Sequence, residues 1–118
     1  MFKSILIPVD GSSCSDKALA EGAELAKVLG AKVVVLYVLE NPVVLYGMGD
    51  AVAYQDEFYD GLRKQAERIL ERAKKVVRQA GANVQTLLLG GTRPAHVILE
   101  EQGNHDLIVM GTHGRKGV

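Results

Sequence analysis

The sequence predicts a parallel β-sheet covered by helices on both faces, and three observations carry that prediction. The strand candidates are continuous apolar runs rather than alternating ones, which suits strands buried on both sides. Between them lie segments with apolar residues at helical spacing, each long enough to return the chain for a parallel neighbour. The resulting order is strand, helix, strand, helix, strand, helix, strand, with no internal repeat. A length of 118 residues fits one domain over residues 1–118, because a single core organises about 100–200 residues.

Taken in order, Ile5-Leu6-Ile7-Pro8-Val9 is the first strand, with Pro8 expected near its end because proline removes a ladder donor. Asp10-Gly11-Ser12-Ser13 reads as a turn and helix N-cap. Ala18, Leu19, Gly22, Ala23, Leu25, Ala26 and Leu29 then follow helical spacing up to Gly30, a C-terminal stop. The β-branched run Lys32–Val38 is the second strand, ended by Asn41-Pro42. An irregular, aromatic segment from Val43 to about Gln55 precedes a long helix carrying Leu62, Ala66, Ile69, Leu70, Ala73, Val76, Val77 and Ala80 on one face. Gly81 ends that helix. Asn83–Leu89 is the third strand, Gly90-Gly91-Thr92 a turn, and Ala95, Ile98 and Leu99 mark a short helix. Asp106–Met110 is the fourth strand and runs into Gly111-Thr112-His113-Gly114-Arg115-Lys116-Gly117-Val118.

Composition narrows the function classes. Fourteen basic residues balance fourteen acidic ones, which argues against a nucleic-acid binder. No apolar run approaches the roughly 18 residues of a membrane span, and the N-terminus lacks a signal peptide's apolar stretch. The single cysteine, Cys14, precludes an intrachain disulfide, so a cytoplasmic setting is expected. Charge is segregated: Glu40–Asp60 holds five acids and no Lys or Arg, and Arg63–Arg78 holds seven bases and two acids. This reads as a solvated helix face whose start carries acids, or as a partner-binding patch.

Open α/β sheets bind ligands beyond the carboxyl ends of their strands, where strand order reverses. The sharpest signal there is the terminal loop, in which Gly111, Gly114 and Gly117 recur every third residue after a buried strand. Such spacing forms either a tight turn or a nest of backbone amides for phosphate, with Thr112, His113, Arg115 and Lys116 adding donors and charge. Asp10 either caps the turn before the first helix or contacts a ligand. Ser12, Ser13 and Ser15 read as cap residues rather than nucleophiles, and Cys14 as a small packing residue. His96, His105 and His113 do not fall at metal-ligand spacings, so no metal site is expected. The aromatic segment spanning Tyr46, Tyr54, Phe58 and Tyr59 is either a lid or a loop packing its own rings.

Three stretches resemble the universal stress protein family: Ile5-Leu6-Ile7-Pro8-Val9-Asp10-Gly11-Ser12, Tyr37-Val38-Leu39-Glu40, and Asp106-Leu107-Ile108-Val109-Met110-Gly111-Thr112-His113-Gly114-Arg115-Lys116-Gly117. The similarity covers essentially the whole chain in matching order. It implies a doubly wound parallel sheet of order 3-2-1-4-5, usually in a homodimer, with an ATP pocket at the switch point between strands 1 and 4. It further implies Asp10 near the ribose and adenine, the Val38 backbone on the adenine edge, and Pro8, Val9 and Met110 lining the base. Gly111 and Gly114 match the first pair of a glycine motif that runs Gly, two residues, Gly, nine residues, then Gly and Ser or Thr, and His113 and Gly117 belong to the same phosphate loop.

Only four residues follow Gly114, so the second half of that motif, the last helix and the fifth strand are expected to be absent from this chain. The resemblance implies a non-catalytic stress-response sensor that binds ATP, with or without Mg2+, and acts as a dimer on an unknown protein partner. The alternative is a stress protein that binds no nucleotide and acts through protein contacts alone. An ATP hydrolase is a third class, but no Walker A motif, metal-binding carboxylate pair or positioned base is present, and no catalytic residue is assigned.

Overall fold

The computed structural model describes residues 3–40, 52–91 and 93–111, with side chains for all of these but 14, 40 and 52–59. Strand β1 (Ser4–Pro8) leads through helix α1 (Ser13–Leu29) to β2 (Lys32–Glu40). Helix α2 (Val52–Gln79), β3 (Val84–Gly91), helix α3 (Pro94–Glu101), a 3-10 turn (Gln102–Asn104) and β4 (Leu107–Ile108) follow. All pairings are parallel and the strand order is β3-β2-β1-β4, the first four positions of the expected doubly wound sheet.

Alternation along the strands divides the core. Ile5, Ile7, Val33 and Val35 point to the side covered by α1 and α2, where Leu19, Ala23, Ala26, Leu70, Ala73 and Val77 are buried against them. Leu6, Val34 and Leu36 point to the other side, against Leu87, Leu89, Ile108 and Ile98 of α3. The continuous apolar runs are thus explained: both faces of β1 and β2 are covered. Gly22 lets α1 lie close on β1, since a Cβ there would stand 2.5 Å from Ile7 Cδ1.

Local chemistry sets the helix ends. Ser12 caps α1, its Oγ accepting from the Ser15 N–H at 3.2 Å, and Gly30 closes the helix in the left-handed region at φ 71°. Three boundaries differ from the sequence reading. Helix α2 begins at Val52 rather than after Gln55, because nothing from Val52 to Asp60 is a glycine or proline that would stop it. Its first turn therefore carries no acid, contrary to expectation. Gly90 and Gly91 extend β3 instead of turning, in register with Leu39 and Glu40. The ladder residues of β4 are only Leu107 and Ile108, although the Asp106 and Val109 N–H groups also donate to Ser4 and Leu6 carbonyls at 3.0 Å.

On the outer surface, Arg63 pairs with Glu67 at 3.4 Å and Arg72 with Asp16 at 3.6 Å, both well exposed and so of small energetic weight. No helix among the described residues is long and apolar enough to cross a membrane.

Candidate functional site

The backbone pattern at the end of β1 opens a crevice. The Val109 N–H donates to the Leu6 carbonyl, so Leu6 faces β4, and by alternation so does the Pro8 nitrogen, which has no hydrogen to donate. The β1–β4 ladder therefore stops where the next bond would form. On the other side, the Val9 N–H donates to the Leu36 carbonyl at 2.8 Å. Leu36 thus faces β1, and alternation aims the Val38 N–H and C=O the same way, just past the end of that strand.

A cavity of about 320 Å³ fills this space, near the lower end of the roughly 300–1,000 Å³ range of small-molecule sites. It lies at the carboxyl ends of β1, β2 and β4, where the strand order reverses between β1 and β4. Six of the residues expected from sequence line it: Pro8, Val9, Asp10, Val38, Met110 and Gly111. The other three, His113, Gly114 and Gly117, lie outside the described residues, as do Thr112, Arg115 and Lys116 of the same loop. The side chains of Tyr54, Phe58 and Tyr59, and Tyr46 altogether, also fall outside them.

The sequence reading missed part of the wall. Pro94 and Ile98 come from α3, Leu36 and Tyr37 from β2, and Ser12 and Ser15 from the entry to α1. Helical spacing had marked Ile98 as apolar, yet nothing in the sequence says which strand end its helix crosses. The walls are apolar, and the polar rim gathers at the α1 entry. There the Ser12 N–H donates to Asp10 Oδ1 at 2.9 Å, and the buried Ser15 hydroxyl donates to the Ser12 carbonyl at 3.0 Å while accepting weakly from the Asp10 N–H at 3.4 Å. Asp10 therefore caps the turn and borders the cavity at once. Gly11, at φ 86°, takes the left-handed conformation that this turn needs.

A second polar cluster, also unforeseen, lies at the opposite end of the sheet. Asp106 Oδ2 accepts from the Lys3 N–H at 2.7 Å and the Ser4 N–H at 3.0 Å, and those two bonds, the Lys3 one foremost, hold its carboxyl below the usual value of 3.8. Ser4 Oγ lies 2.6 Å from His105 Nδ1, and His105 Nε2 lies 2.9 Å from Glu101 Oε2. A carboxylate only accepts, so Nε2 carries a proton. Nδ1 then accepts from the Ser4 hydroxyl in the neutral ring and donates to it in the charged one. Among the described residues no three His, Cys, Asp or Glu side chains gather as a metal site.

Fold and site together define an open, doubly wound α/β protein with a ligand-sized crevice at its switch point. Residues 1–118 match the model of the universal stress protein family, and the chain belongs to that family. It is 33% identical to the universal stress protein YxiE of Bacillus subtilis, over 100% of this chain and 84% of that protein. With a universal stress protein of Methanocaldococcus jannaschii it shares 34% identity, over 100% of this chain and 69% of the relative. The solved universal stress protein UspA from Lactobacillus plantarum superposes with a TM-score of 0.83 at 25% identity, covering 99% of this chain and 83% of that one. Two more distant structures share the fold. One is a universal stress protein in complex with cAMP, with a TM-score of 0.60 at 23% identity, covering 91% of this chain and 70% of that one. The other is the Archaeoglobus fulgidus universal stress protein in complex with dAMP, with a TM-score of 0.62 at 20% identity, covering 93% and 80%.

Proposed function

We propose that this chain is a non-catalytic adenine-nucleotide sensor that binds ATP in the β1–β4 crevice and signals as a homodimer in the cytoplasm. The observation that carries the reading is the crevice, where Pro8, Val9, Asp10, Val38, Met110 and Gly111 meet around one cavity. Its chemistry suits an adenosine. Flat apolar walls from Val9, Val38, Ile98 and Met110 accept a purine ring, and the backbone N–H and C=O of Val38 are aimed where a base edge would lie. The Asp10 carboxylate at the polar rim suits ribose hydroxyls. The phosphates would be the share of Gly111, Gly114, Gly117 and His113, the loop that the family resemblance assigns to them. The related structures in complex with cAMP and dAMP support an adenine ligand for this fold.

In this reading Val38 orients the base, Asp10 the ribose, and the glycine loop supplies donors to the phosphates. ATP itself contributes the charge that this loop senses, with or without Mg2+. Calorimetric titration of ATP with Mg2+, compared with adenosine, tests the proposal. Micromolar ATP binding, weakened about tenfold or more by Asp10→Ala, is the expected result. Binding of neither ligand to the chain sinks the nucleotide reading and favours a stress protein acting through protein contacts alone.

A further inference from the structure

We infer that Ser4, His105 and Glu101 form a partly buried anchor that positions α3, and through it the Pro94–Ile98 wall of the cavity. The ligand arm of this inference rests on the nucleotide reading above. Helix α3 is weakly held for an element that walls a site: it has eight residues, none of them buried, and Leu99 is 60% exposed. Among the described residues it is attached through Ile98 against the Leu6–Val34–Leu36 cluster, the packing of Val97 over Gly91, and Glu101.

Pro94, Ile98 and Glu101 are spaced four and then three residues apart, so one stripe of α3 carries all three. Two of them line the cavity and the third reaches His105. The two acids at the end of α3 behave oppositely. Glu100 pairs with His96 at 3.4 Å on the open surface, with side chains 70% and 65% exposed, whereas the Glu101 and His105 side chains are 18% and 8% exposed. His105 in turn meets Ser4, the first residue of β1, whose N–H and C=O are both bonded to Asp106. The far end of β1 is Pro8, on the cavity floor. One rigid strand and one short helix thus leave the same anchor and meet again at the cavity about 10 Å away, the length of seven helical residues. Without it, α3 can pivot about Ile98 and swing Pro94 off the cavity. Ser4, His105 and Glu101 act here as positioning residues and touch no ligand.

The test compares Glu101→Ala, Glu101→Gln and His105→Ala, because glutamine retains an oxygen to accept from Nε2–H and alanine does not. Amide hydrogen exchange of the ligand-free chain is read for residues 95–101 against those of β2, together with adenosine affinity by calorimetry. Glu101→Ala and His105→Ala are expected to speed exchange in α3 about tenfold or more, leave β2 unchanged and weaken adenosine binding about tenfold, with Glu101→Gln within about threefold of the parent. Unchanged α3 exchange overturns the inference, as does loosened α3 with undiminished adenosine binding, or an equal rise of exchange in β2. If the parent chain binds no adenosine, the nucleotide reading falls by itself. The anchor is then judged by the amide chemical shifts of Val38 and Met110, which must move in Glu101→Ala and stay in Glu101→Gln.

Discussion

The two faces of the sheet are built from alternate residues of the same strands, yet they do different work. Strand residues are equally buried on both: Ile5, Ile7, Val33 and Val35 on one, Leu6, Val34 and Leu36 on the other, none more than 5% exposed. The difference lies in the cover. Helices α1 and α2, of 17 and 28 residues, close the first face with a stripe of buried leucine, valine and alanine. Among the described residues, the cover of the second is helix α3, with eight residues and none buried. Burial of apolar area is the main source of stability, so the first face holds the fold together. The cavity lies on this second side, between α3 and the strand ends. Among the described residues, then, the faces differ in the length and anchoring of their helices and not in the burial of their strand residues.

The largest expected effect breaks that asymmetry at its thick side. Leu19→Ala, at a position 2% exposed, is expected to destabilise by about 2–5 kcal/mol in urea unfolding, against about 1 kcal/mol for Ile98→Ala on the thin side. Equal losses would abolish the contrast. Gly22→Ala comes next: its methyl group would collide with Ile7 Cδ1, and overpacking of this kind costs about 1–3 kcal/mol, read as a lower urea midpoint with an unchanged slope. A smaller loss, about 1 kcal/mol, is expected for Ser12→Ala, which removes the α1 cap at the cavity rim. The smallest effect concerns acid. Because the folded Asp106 carboxyl titrates below its ordinary value of 3.8, its contribution is present above that pH and is lost as pH falls through the lowered value. Asp106→Asn is therefore expected to lower stability at neutral pH and flatten its fall below about pH 4, measured as thermal midpoints across that range.

Much of the architecture was legible because it depends on local pattern. Ile5–Val9 and Lys32–Val38 read as doubly covered strands, and the periodicity of Ala18–Leu29 set α1 to within a few residues. Strand order was not legible from residues. It came with the family resemblance, since apolar runs carry no label for their neighbours. The start of α2 and the end of β3 differ from the sequence reading for separate reasons. At α2 the aromatics hid that no glycine or proline stops a helix from Val52, and at β3 pairing with β2 overrode glycine's poor strand preference at Gly90 and Gly91. Along the cavity wall, Pro8, Val9, Asp10, Val38, Met110 and Gly111 are among the residues named from sequence, and Pro94 is not, because its place depends on how α3 crosses the sheet. The Ser4–His105 contact joins positions 101 residues apart, which no spacing rule reaches.

Pro8 works as a ruler for this crevice. Zipping of β1 to β4 ends at a ring nitrogen with no hydrogen, so the depth of the cleft is written into a covalent bond rather than into packing that thermal motion can loosen. Any other residue at position 8 would bring to that edge of the cleft a backbone donor that proline withholds.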